Sequence, residues 1–99
     1  MDADVIRIYK KLCNKYPIEL TSALKKGFHS SIDFPILTGV SALGSFEMSC
    51  DDVPSFGFYA TRNTGEFLAH WHAYSAEEAE RSVIDFMEGK LTLISFGQK

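Results

Sequence analysis

The chain has 99 residues, 45% hydrophobic and 23% charged, with a formal net charge of −3 at pH 7. That length suits a single domain, 1–99, around one core, and that balance excludes an intrinsically disordered chain. No stretch reaches the ~18 apolar residues of a membrane span, and the start, MDADVIRIYKKL, puts acids first with no long apolar run. Neither a membrane segment nor a signal peptide is expected, and the expected location is cytoplasmic.

The net charge conceals an asymmetry. Residues 1–27 hold six basic and three acidic side chains, whereas residues 28–99 hold four basic and ten acidic ones. The acidic remainder suits a basic partner, and the basic start an acidic one. Cys13 and Cys50 lack CxxC or CxxxH spacing, so they read as reduced thiols rather than a disulfide or metal pair.

The first predicted helix runs from about Ala3 to Tyr16, with Val5, Ile8, Tyr9, Leu12 and Tyr16 on one apolar stripe and Asp2 or Asp4 at its N-terminal end. Pro17 stops it. A second helix is expected over Ile18–Lys26, using Ile18, Leu20, Ala23 and Leu24, with Gly27 as terminator. The pair could serve as a DNA-reading helix-turn-helix, but helix 2 is short and the whole chain acidic, so no nucleic-acid partner is expected. Residues 28–44 carry turn residues among Ile36, Leu37, Val40 and Leu43. Pro35 argues against a central strand and leaves a short edge strand or an apolar loop.

Ser45–Cys50 alternates, with Phe46, Met48 and Cys50 on one face, and predicts a half-buried strand. Asp51–Pro54 turns the chain. Ser55–Tyr74, SFGFYATRNTGEFLAHWHAY, then reads as a hairpin, because Asn63-Thr64-Gly65 is a three-residue connection ending in glycine. Gly65 suits a type I turn with a following bulge, and with Arg62 and Glu66 flanking that turn and pairing running on from there, Phe58 faces His70, Phe56 faces His72, and Trp71 covers Gly57. Tyr59, Phe67 and Trp71 then share one face. Ser75 with Glu78 is a capping box opening a third helix, whose stripe is Ala76, Ala79, Val83, Phe86 and Met87 and whose end is Gly89. Leu91–Phe96 is a last strand. The expected fold is α+β: two N-terminal helices, a three-stranded antiparallel meander, one helix, and a final strand joining a mixed four-stranded sheet, with helices mainly on one face.

Chemistry-bearing spacings are few. His70-Trp71-His72 would set two imidazoles on one strand face about 7 Å apart, able to chelate one ion, yet a zinc site needs a third ligand, and only Cys50, Asp51, Asp52 or His29 could supply it. The plain alternative is that these histidines pack against neighbouring rings. Cys50 lies beside two aspartates, which disfavour a thiolate nucleophile. Ser30-Ser31 lack a GxSxG elbow, and no phosphate-binding glycine loop occurs. The thirteen Phe, Tyr and Trp residues are the more informative feature. A sheet face rich in rings but poor in Arg and Lys suits a protein partner rather than RNA.

The sequence therefore points to a non-enzymatic protein-binding domain without a cofactor. An inhibitor of immunity or antitoxin type fits the charge. In it Glu47, Asp51, Asp52, Glu66, Glu77 and Glu78 would meet a basic, nuclease-like partner, and Tyr59 and Trp71 would anchor it. The competing readings are a small metal-binding protein or enzyme using His70 and His72, and a homodimer through the same rings. The interaction reading depends on the hairpin register, since register decides which rings share a face.

Overall fold

A computed structural model describes residues 2–26, 31–50 and 55–90, with side chains described for 3–22, 34–50 and 55–90. The order is α1 (Asp2–Leu12), β1 (Ile18–Lys26), β2 (Ser31–Ser41), β3 (Gly44–Cys50), β4 (Phe56–Thr61), β5 (Phe67–Ala73) and α2 (Ala76–Met87). The five strands form one antiparallel sheet in sequential order, β1-β2-β3-β4-β5. The class is α+β, with two helices among the described residues rather than three and a meander of five strands rather than three. The expected parallel strand, Leu91–Phe96, lies outside the described residues.

The main correction is at residues 18–26. Their Leu, Ala and Lys content favours a helix, but Ile18-Glu19-Leu20-Thr21 alternates, and Ile18 is buried while Glu19 and Thr21 are exposed. Pairing of Ile18–Lys26 with Ser31–Gly39 outweighs the weak helical propensity. The second helix of a helix-turn-helix is therefore a strand. Residues 31–41, read as a loop or short edge strand, form β2. Pro35 is tolerated because among the described residues β3 pairs only with Leu37–Ser41, so Pro35 has a strand neighbour on one side alone.

The hairpin turn falls where expected. The Arg62 N–H donates to the Glu66 carbonyl at 2.7 Å, the Gly65 N–H to the Arg62 carbonyl at 2.8 Å, and Gly65 has φ +92°. Beyond the turn the register departs from expectation. Thr61 pairs with Phe67 but Ala60 pairs with Ala69, so β5 carries one extra residue, a β-bulge. Every partner beyond it shifts by one: Phe58 faces Trp71, Tyr59 faces His70, and Gly57 faces His72.

Both helices cover one sheet face. Val5, Ile8 and Leu12 of α1 and Ala79, Val83 and Phe86 of α2 join Leu37, Phe46, Met48, Phe58, Ala69 and Trp71 in a single core. The helical stripes are as the sequence predicts, and the Ser75 side chain accepts the Glu78 N–H at 3.1 Å to cap α2. α1 ends four residues earlier than expected, at Leu12, and the turn that follows returns the Tyr16 N–H to the Leu12 carbonyl at 3.0 Å. No described helix is long and apolar enough to cross a membrane.

Candidate functional site

Because side chains alternate along a strand, whatever the covered face leaves out points to the other side of the sheet. No described helix packs there. One row crosses all five strands, Glu19–Thr38–Glu47–Tyr59–His70, each neighbour being a paired residue on the next strand. A second row reads Val40–Ser45–Thr61–Phe67. Tyr59 is 49% exposed, Phe67 57% and Val40 60%, an unusual concentration of large apolar surface on one small sheet.

The rings form a chain. Ring centroids lie 5.7 Å apart for Phe67 and Tyr59, 6.4 Å for Tyr59 and His70, 4.9 Å for His70 and His72, and 6.4 Å for His72 and Tyr74. Glu47 stands opposite Tyr59 on β3, and Glu66 lies at the hairpin end, with the Thr64 hydroxyl donating to its Oε1 at 3.4 Å. Among the described side chains of this face the charged ones are carboxylates, with Arg62 exposed at the turn beyond it.

The bulge redistributes the expected site. Trp71 is 2% exposed and belongs to the core; its ring stacks on Phe58, and its Nε1–H donates to Ser82 Oγ at 3.4 Å. It is not a surface anchor. The faces expected from continuous pairing, one with Tyr59, Phe67 and Trp71 and the other with Phe56, Phe58 and the histidines, are both replaced. Tyr59 and Phe67 share the open face with His70 and His72 instead.

The predicted acidic residues divide. Glu47 lies beside Tyr59 and Glu66 at the hairpin end, whereas Glu77 and Glu78 are exposed on the first turn of α2, with the sheet between them and Tyr59. There they border a groove between the helices together with Arg7, Lys11 and Arg81. An ion pair from Lys11 to Glu80, 2.9 Å, crosses it. Asp51 and Asp52 lie outside the described residues. Glu19, Val40 and Tyr74 are members of the open face that sequence reasoning missed. Alternation at Ile18–Thr21 is the signal that could have placed Glu19.

Titration is perturbed on the helical side. The Tyr16 hydroxyl donates to Glu88 Oε2 at 2.5 Å, which raises the phenol and, with Lys90 also bonded to it, lowers the Glu88 carboxyl. Arg7 donates to Asp4 Oδ1 at 2.7 Å and lowers Asp4. These exposed contacts are structural ties.

For catalysis or a closed metal centre the described residues offer little. His70 and His72 share a face as expected, but no third His, Cys, Asp or Glu joins them among the described residues. His29, like Asp51 and Asp52, lies outside them. Cys13 and Cys50 are not disulfide-bonded to one another. Comparison with known proteins adds no relationship: no family model, curated protein or solved structure matches this chain.

Proposed function

We propose that this chain is a non-enzymatic protein-binding domain whose working surface is the open face of its sheet. The reading is carried by one juxtaposition: exposed Tyr59 and Phe67 in ring contact, with Glu47 paired across from Tyr59. Rings supply large contact area at low entropic cost, and carboxylates beside them select and steer a cationic partner. A basic protein fits that surface, and a nuclease-like enzyme is the form we favour. Glu19, Glu47 and Glu66 would occupy the positions that nucleic-acid phosphates take in its cleft, and occlusion would inhibit it. The N-terminal helix is not free to act as a basic arm throughout, since Arg7 and Lys11 are engaged with Asp4 and Glu80.

The test uses the purified chain and a Tyr59→Ala/Glu47→Lys double variant as affinity baits in extracts of the source cell. The expected outcome is a basic protein retained by the wild type and lost by the variant, which degrades nucleic acid alone and not in the complex. Retention of a partner that is indifferent to both substitutions would overturn the placement of the site. A partner that is acidic, or is not inhibited, would overturn the inhibitor reading.

A further inference from the structure

The geometry points to a second property of the same face, independent of any protein partner: His70 and His72 form an exposed two-imidazole site for a borderline divalent transition ion such as Zn²⁺, Ni²⁺ or Cu²⁺. A metal–imidazole bond is about 2.0–2.1 Å, and the ring centre lies about 1.1 Å beyond the nitrogen. Two imidazoles on one ion, at angles between about 90° and 110°, therefore hold their ring centres about 4.5–5.2 Å apart. The observed separation is 4.9 Å, with the ring planes 65° apart and edge to face, so the spacing suits one ion and rotation of the two side chains would turn a nitrogen of each toward it. Both rings are exposed, and β5 is the last strand in the order of the described sheet, so an ion can approach from solvent. Across from His72 stands Gly57, which has no side chain to fill the space above the ring. Tyr59 is a ring neighbour of His70, and Tyr74 of His72.

Imidazole nitrogens favour Zn²⁺, Ni²⁺ and Cu²⁺ over Mg²⁺ and Ca²⁺, which take oxygen ligands. Since no third protein donor joins the pair among the described residues, the remaining positions of the ion would hold water or a group from an incoming molecule. An ion held by these two imidazoles alone would be exchangeable, unlike a structural zinc centre that holds a fold together.

The experiment is calorimetric titration of the full chain with Zn²⁺, and separately with Ni²⁺ and Mg²⁺, alongside NMR of the histidine side chains. One Zn²⁺ per chain is expected, shifting the His70 and His72 signals together, with Mg²⁺ silent. His70→Ala and His72→Ala should each weaken binding about 100-fold by removing the second arm of the chelate. Circular dichroism of each variant establishes that the exposed substitutions preserve the fold. Zinc that leaves both imidazoles unshifted, equal response to Mg²⁺, or wild-type affinity in either folded single variant would overturn the assignment. Loss of partner binding by Tyr59→Ala with zinc binding intact would separate this site from the docking surface.

Discussion

Trp71 lies flat on Phe58, with ring centroids 4.7 Å apart and planes 10° from parallel. The contact exists because the bulge in β5 brings Phe58 opposite Trp71, and it turns the largest side chain of the hairpin into core. Trp71→Ala should therefore destabilise the fold by about 3–5 kcal/mol, the range for deleting a buried large aromatic ring. Trp71→Phe keeps a ring on Phe58 but removes the hydrogen bond to Ser82, and should cost less, with about 1–2 kcal/mol from that bond. Urea denaturation of the three proteins checks the order. A Trp71→Ala variant as stable as the wild type would mean that the ring lies outside the core.

Two turn glycines should respond unequally to alanine. At Gly65, φ is +92° and an added Cβ meets nothing within 4 Å, so Gly65→Ala bears only the left-handed backbone penalty, about 1–2 kcal/mol. At Gly44, φ is +141° and an added Cβ would fall 1.9 Å from the Thr61 carbonyl oxygen of the neighbouring strand. Gly44→Ala must therefore displace backbone as well, and should cost clearly more than Gly65→Ala. Thermal melts of the pair suffice, and equal losses would contradict the close approach of β3 and β4 at this point.

How far the sequence could be read follows from where its local preferences agree with its pairing. α2 was legible in full because the Ser75 cap, the Ala79–Val83–Phe86 stripe and Gly89 all specify the same helix. The Asn63-Thr64-Gly65 turn was legible because its chemistry is local. β1 was not, since Leu20, Ala23, Leu24 and the two lysines favour helix until a partner strand is present, and that partner contains Pro35. For the site, Glu47 on the outer face of its strand followed from alternation, whereas its place beside Tyr59 rests on the pairing of β3 with β4, which the intervening turn hides from a sequence reading. Trp71 did not follow, because a one-residue bulge inverts every side chain beyond it and leaves no mark in composition.

Tyr16 and Glu88, which tie the turn after α1 to the C-terminal end of α2, should give a pH-dependent stabilisation whose sign is fixed at both ends. The Glu88 carboxyl is lowered, so its contribution is present above the ordinary glutamate range and is lost as pH falls through the folded value. The Tyr16 phenol is raised, so its contribution is present below the ordinary tyrosine value and is lost as pH rises through the folded value. The difference in Tm between wild type and Tyr16→Phe should hence be largest and flat from about pH 5 to about pH 9, and shrink on either side. A difference that grows in acid would refute the pairing.

Substitutions on the open face should separate folding from binding. Tyr59 and Phe67 are about half exposed and touch each other, so Phe67→Ser loses one ring contact and Tyr59→Ser two, the one with His70 included, and each loses little buried area. Each should change stability by about 1 kcal/mol or less. Chemical denaturation measures this directly, and a loss of several kcal/mol from either would show that the face is covered in the folded chain.

Salt should act in opposite directions on the two kinds of association open to this face. Two copies meeting through it would bring Glu19 and Glu47 of one chain toward the same carboxylates of the other, so repulsion opposes self-association and screening relieves it. A basic partner is held and steered by those carboxylates, and screening weakens it. The chain alone should sediment as a monomer at about 20 mM salt and show any self-association only near 0.5 M, where the Debye length falls to roughly 4 Å. Glu47→Gln should promote self-association at low salt while slowing encounter with the basic partner. If instead the chain dimerises at low salt and salt dissociates it, opposite charges must meet at that contact, and carboxylates and rings would not be its chemistry.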